Sequence, residues 1–218
     1  MIEAKIRDLK ANLMAQSTRV ESMIEQTFKA IKNNDVDALK KIKKEDEQKV
    51  NKAEVNIDEL CTAIMALYSP EARDLRLVIS FIKINATFER MGDLIVNITE
   101  SGRYLLENPL PVNLDELYSL AEETMQMVHK CITAFAKEEE LISQSVLEAD
   151  DIVDRIANNI LTNFIKESGP SGDTNQIEYG LHVLRIAYNL ERIADLSTNI
   201  AEVIIFIAKG LDVRHNKS

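Results

Sequence analysis

The sequence predicts an all-α protein made of two tandem, pseudo-symmetric three-helix bundles with six long helices. Three observations carry this. Six glycines and four prolines in 218 residues are under half the usual roughly 12% for these two residues, so the chain lacks the turn formers that many short strands require. Apolar residues recur at spacings of three and four, as in Ile84, Phe88, Met91, Ile95 and Ile98, and no comparable stretch alternates with a period of two. The chain also repeats itself at a nearly fixed offset.

The few breakers cut the chain into six segments. The first, about 3–32, stops at Asn33-Asn34-Asp35, and the second, about 35–68, at Ser69-Pro70. The third, about 71–106, runs into the stretch containing Gly102, Pro109, Pro111 and Asn113. The fourth, about 114–142, stops at Ser143, and the fifth, about 144–167, at the loop Ser168-Gly169-Pro170-Ser171-Gly172-Asp173. The sixth, about 174–209, reaches Gly210. At roughly 1.5 Å per residue the longest spans on the order of 50 Å, a length suited to elongated bundles with short connections.

The third segment lies over the sixth. Phe88-Glu89-Arg90-Met91-Gly92-Asp93-Leu94-Ile95-Val96-Asn97-Ile98-Thr99-Glu100 matches Leu190-Glu191-Arg192-Ile193-Ala194-Asp195-Leu196-Ser197-Thr198-Asn199-Ile200-Ala201-Glu202, with Glu, Arg, Asp, Leu, Asn, Ile and Glu identical in register. The second segment lies over the fifth, Glu47-x-x-Val50-Asn51 against Asp150-x-x-Val153-Asp154. Low-breaker helices resemble one another by composition, but charged identities in register do not arise that way. The expected division is residues 1–110 for the first bundle and 111–218 for the second, joined around 107–113.

The charge balance narrows the partners. Against 26 Lys and Arg stand 36 Asp and Glu, a formal charge of −10, which repels a phosphate backbone and argues against nucleic acid. The opening MIEAKIRDLK alternates charges where a secretory signal needs an apolar run, and the apolar stretch 203–208 is far shorter than the roughly 20 residues that span a bilayer. A cytoplasmic protein is expected. Cys61 and Cys131 stand apart among apolar neighbours, which predicts packed, reduced thiols and no thiolate metal site.

Glu89 with Asp93, and Glu191 with Asp195, are spaced four apart and so share a helix face, where two carboxylates repel by a few tenths of a kcal/mol. Something must offset that repulsion. Asn97 and Glu100 extend the first stripe, and Asn199 and Glu202 the second. The preceding helix of each unit offers a facing stripe: Glu47, Asn51, Glu54 and Asp58 in the first, Asp150 and Asp154 in the second. Oxygen-rich clusters of this kind suit Mg²⁺, Mn²⁺ or iron. The competing reading is a solvated face, because Ile84, Phe88, Met91, Ile95 and Ile98 form a core seam rotated about 100° from Glu89, and Ile186, Leu190, Ile193, Ile200 and Ile204 repeat it. The carboxylates therefore belong on the flank of each bundle.

Arg90 and Arg192 directly follow the glutamates, and Arg73 and Arg76 open the third helix. They suit either a phosphate or carboxylate ligand or simple neutralisation of neighbouring acids. Gly92 costs a helix interior about 1 kcal/mol relative to Ala, and its counterpart is Ala194, so a close helix approach is expected there. Lys40, Lys41, Lys43 and Lys44 read as a solvated helix end. The histidines, His129, His182 and His215, are scattered, Glu178-x-x-x-His182 has no repeat copy, and no P-loop or GxSxG is present.

These residues resemble a known family. The two copies of ER-x-[GA]-D-x-x-x-N-I look like the signature of the PhoU phosphate-regulation proteins. Ser69-Pro70-Glu71-Ala72-Arg73-Asp74-Leu75-Arg76 is similar to that family's P-x-A-R-D-L-R motif, and Gly210-Leu211-Asp212-Val213-Arg214-His215 to its C-terminal G-x-D-x-R-H. The resemblance implies two three-helix bundles, a non-enzymatic role and multinuclear metal sites for iron, Mn, Mg or Zn ions. Carried over by position, the ligands are Glu47, Glu89 and Asp93 in the first half and Asp150, Asp154, Glu191 and Asp195 in the second. Two departures are Ala194 for a usual Gly and Asn51 for an expected Asp. The implied role is a cytoplasmic negative regulator of the phosphate-starvation response that links the phosphate ABC transporter to a sensor histidine kinase. It would be a homodimer that meets the membrane only through its partners. The alternatives are an accessory protein of a low-affinity phosphate carrier and a carboxylate-bridged metalloenzyme.

Overall fold

The computed structural model describes residues 2–167 and 173–209, and the expected loop at 168–172 and the closing motif at 210–215 lie outside the described residues. Helix α1 is Ile2–Lys32. It ends at Asn34, whose φ of 56° is left-handed, a conformation asparagine tolerates, while the Asp35 amide bonds back to the Ala30 carbonyl at 2.9 Å. Helix α2 has three parts: Val36–Lys41, a π-helical stretch Ile42–Asp46, and Glu47–Tyr68. The Asp35 carboxylate caps it by accepting the Ala38 N–H at 2.9 Å. Ser69, at φ 44°, and Pro70 end it.

Helix α3 is Ala72–Glu107, and the chain then crosses through Pro109 and Pro111 to α4, Asp115–Lys137, with the Asn113 side chain accepting the Asp115 N–H at 2.7 Å. Helices α5, Glu140–Glu167, and α6, Thr174–Lys209, complete the set. The α4/α5 break falls at Glu138, in a left-handed conformation at φ 55°, and not at the expected Ser143. Ser143 is fully buried inside α5, where its hydroxyl donates to the Glu139 carbonyl at 3.2 Å. That back-bond lets a serine sit inside a helix, so it gave a false stop. The π-helical stretch is the other local departure from the expected continuous helix.

Helices α1, α2 and α3 pack on one another, as do α4, α5 and α6, and the halves meet where α3 packs on α6 and α1 on α4. The α3/α6 pair is antiparallel: the Tyr104 ring stacks on His182 with centroids 3.9 Å apart, and Arg185 reaches the Asn97 amide oxygen at 3.4 Å. Followed along both helices, this register brings the repeat counterparts Met91 and Ile193 level, and both are fully buried. The two core seams run as expected, with Ile84, Phe88, Met91, Ile95 and Ile98 buried, and Ile186, Leu190, Ile193, Ile200 and Ile204 likewise. They belong to one continuous apolar core that crosses from half to half. An edge-on ring pair, Phe81 of α3 and Phe135 of α4 at 5.7 Å, and the Lys10–Glu138 ion pair at 2.7 Å add contacts between the halves.

Gly92 is the expected close approach. A Cβ there would lie 3.1 Å from Cγ1 of Val50, so α2 and α3 touch backbone to side chain at this level. Replacing Gly92 with Leu drives a branched side chain into Val50 and is expected to destabilise the protein by about 1–3 kcal/mol. The urea midpoint measures this, and an unchanged midpoint would show that the two helices separate freely.

Candidate functional site

The seams turn the carboxylate stripes to the flanks. On α3, Glu89 is half-buried while Arg90 and Asp93 are exposed; on α6, Glu191, Arg192 and Asp195 are all half-buried. In the second half the charges of the expected residues act on Glu191. Burial pushes the Glu191 carboxyl above its ordinary range, and Asp154, Asp195 and Asp150 push it further against the opposing charge of Arg192. Asp150 and Asp154 of α5 therefore lie near Glu191 of α6. Arg192 lies 3.4 Å from the Asp195 carboxylate, neutralising part of the stripe.

The first half differs. Burial raises Glu89 as well, followed by the charges of Asp93 and Glu54, with Arg90 opposing. Glu47 is not among the charges acting on Glu89, and Asn51 is exposed. Glu54, itself raised by burial and by Asp58, takes the facing position. Below it Asn85, fully buried, donates to the Glu54 carbonyl and to the Asp58 carboxylate, each at 2.9 Å. Positional transfer from the second half misses Glu54, because its repeat counterpart is Ala157. The acidic stripe of α2 was the signal that contained it.

Among the described residues no group of three or more His, Cys, Asp or Glu is drawn together tightly enough to hold a metal ion. The donor chemistry nonetheless fits a hard cation. Burial, and after it the charges of Asp154, Asp195 and Asp150, disfavour the ionised Glu191 carboxylate, and a cation beside these oxygens would favour it.

Other candidates take structural places. His129 pairs with Glu21 of α1 at 2.7 Å and His182 stacks on Tyr104; neither acts on Glu89 or Glu191. His215 lies outside the described residues. Both cysteines are free and buried. Burial first and Asp58 second push the Cys61 thiol up to about 12, and burial with Glu21 raises Cys131 further, so neither is a nucleophile at neutral pH. Arg73 and Arg76 are exposed.

The fold and its flanks define a tandem three-helix-repeat protein with paired acidic faces. A family model described as the PhoU domain matches it twice, over residues 13–102 and 117–204. The chain belongs to the PhoU family. It is 31% identical to the phosphate-specific transport system accessory protein PhoU homolog of Pseudomonas aeruginosa, over 97% of this chain and 87% of that protein. With the phosphate-specific transport system accessory protein PhoU of Escherichia coli it shares 32%, at the same coverage. The crystal structure of PhoU from Pseudomonas aeruginosa superposes with a TM-score of 0.91 at 29% identity, covering 97% of this chain and all of that one. PhoU from Streptococcus pneumoniae, at 23% identity, has the same fold, with a TM-score of 0.89.

Glu89 and Glu191 keep their protons above the ordinary 4.5 when folded. Just above that pH the folded state therefore binds more protons than the unfolded chain, and stability falls as pH rises through the raised values. In chelator-treated protein, Glu191→Gln is expected to raise the urea midpoint at pH 7 and to flatten its decline as pH rises above the ordinary carboxylate range. A midpoint that drops at pH 7 would show that the ionised carboxylate is stabilised by its surroundings.

Proposed function

We propose that this chain is an accessory protein of a phosphate-specific transport system and a negative regulator of the phosphate-starvation response. It acts as a cytoplasmic, homodimeric adaptor between the phosphate ABC transporter and a sensor histidine kinase. The observation that carries the reading is whole-length similarity to proteins named as accessory to that transport system, together with the duplicated acidic flank. No helix among the described residues is long and apolar enough to cross a membrane, which suits contact with a transporter through protein partners.

The flanks are the cation sites of this reading. Asp150, Asp154, Glu191 and Asp195 hold an iron, manganese, magnesium or zinc ion in the second half. Glu89 and Asp93 would hold one in the first, with Glu54 beside Glu89 in place of the expected Glu47. A bound cation supplies positive charge that joins α5 to α6 and α2 to α3. The residues' own part is to present oxygen donors from two helices whose spacing the core fixes. Arg192 pairs with Asp195 at 3.4 Å and would present its guanidinium to a partner's carboxylate where a cation neutralised the stripe.

Deleting the gene is expected to leave phosphatase expression high in phosphate-replete cells. In the purified protein, Glu191→Gln with Asp195→Asn should lower metal content by elemental analysis while helicity stays intact, since α6 is held by its buried apolar seam and not by these flank carboxylates. Normal repression in the deletion strain overturns the regulatory role. Unchanged metal content in the double variant overturns the metal assignment.

A further inference from the structure

The lysines around the π-helical stretch of α2 are not accounted for by the repeat. In a chain of formal charge −10, Lys40, Lys43 and Lys44 of α2 and Arg103 of α3 surround a concavity of about 260 Å³. Arg185 of α6 does not line it but approaches from the other half behind Glu100, its guanidinium 3.8 Å from the Glu100 carboxylate. Glu100 also accepts a hydrogen bond from Lys43. Its carboxyl is held below the usual range, first by that bond and then by the charges of Lys43, Arg185 and Arg103, all against the effect of burial. The local field is thus positive in an acidic molecule. The remaining pairs, Lys40 with Asp37 at 3.4 Å and Arg103 with Glu107 at 3.8 Å, are exposed and hold these cations only loosely.

The three-helix fold does not require this cluster. In the second half the positions of Lys40, Lys43 and Lys44 carry Ser143, Val146 and Leu147, and that of Arg103 carries Ile205. The corresponding part of α5 is uninterrupted α-helix, whereas a π-helical turn, a feature found frequently at functional sites, presents the lysines of α2.

We propose that this concavity is an anion site whose ligand is a compact, multivalent phosphate-bearing anion, held by Lys40, Lys43, Lys44 and Arg103 with Arg185 approaching from the other half behind Glu100. Ammonium point charges and forked guanidiniums together match phosphate oxygens. The concavity's own surface is mostly apolar, from Leu39 and the stems of these long side chains, with Glu100 among the cations, and its small size suits a compact molecule better than a peptide chain. Several negative charges are needed because the ligand competes with Glu100 for Lys43 and Arg185. Occupancy therefore draws on the Lys43–Glu100–Arg185 bridge between α2, α3 and α6, which couples the site to the contact between the halves. None of this depends on the transport role.

The test uses the full-length protein and calorimetric titration at low salt, with tripolyphosphate as probe and orthophosphate, sulfate and a glutamate-rich peptide as comparators. Tripolyphosphate is expected to bind more tightly than the other three, with affinity falling as salt is raised. Lys44→Gln with Arg103→Gln should weaken it about tenfold or more, the loss expected for charge-assisted hydrogen bonds. Lys5→Gln with Lys137→Gln, on exposed lysines of α1 and α4, should leave it unchanged. Should Arg103→Gln impair folding by circular dichroism, Lys40→Gln with Lys44→Gln repeats the measurement at the helix surface. The proposal is overturned by absent tripolyphosphate binding or by equal losses in the two pairs of variants. It is also overturned by tighter binding of the acidic peptide, which would make the patch a protein-docking surface.

Discussion

The antiparallel packing of α3 on α6 is the constraint from which the rest of this molecule follows. Each of these helices, 36 residues long, must present an apolar surface to its own half and another to the opposite half. Their buried surface is accordingly wide and takes in small or polar residues at close contacts: Gly92, Thr99 and Ser101 on α3, Ala194 and Ser197 on α6. Thr99 and Ser197 satisfy their hydroxyls on the carbonyl four residues back, so they pass through the core without an unpaired donor. What remains for charge is a narrow flank. The Glu-Arg-x-x-Asp stripe occupies it in both copies.

That geometry explains why carboxylates accumulate where they repel. A flank carboxylate next to a wide apolar seam loses part of its hydration, and burial is accordingly the largest influence on both Glu89 and Glu191. The facing acids of α2 and α5 add to it. In the second half, Arg192 offsets part of the charge through Asp195; in the first, Arg90 is exposed and opposes more weakly than the acids push. Such strained flank carboxylates are what the proposed cation sites rest on.

The halves share a backbone plan and diverge in chemistry. The first carries the polar trio Glu54, Asp58 and Asn85 where the second has Ala157, Leu161 and Ala187. It also carries a basic, π-distorted stretch where the second is apolar and regular. Duplication fixes the scaffold because both halves must complete the same central crossing. Each outer helix, α2 or α5, packs on its own half and is free to acquire different side chains. Functional asymmetry therefore collects on the outer helices and on the faces that α3 and α6 turn toward them, as at Asn85 and Arg103.

Much of the fold was legible in the residues themselves. Apolar spacing placed the seams from Ile84 to Ile98 and from Ile186 to Ile204, and the register of charged identities revealed the duplication, because both signals are local and periodic. That Asp150 and Asp154 come near Glu191 was legible as well, from facing stripes on consecutive antiparallel helices. Three things were decided only in three dimensions. Ser143 continues a helix because its hydroxyl finds the Glu139 carbonyl, a choice the tripeptide around it does not determine. Glu54 and not Glu47 stands beside Glu89, because the facing register of α2 against α3 depends on how Val50 seats against Gly92. Arg185 and Glu100 meet because α6 crosses α3 antiparallel, a contact between residues far apart in the chain that depends on how the two apolar seams bury each other.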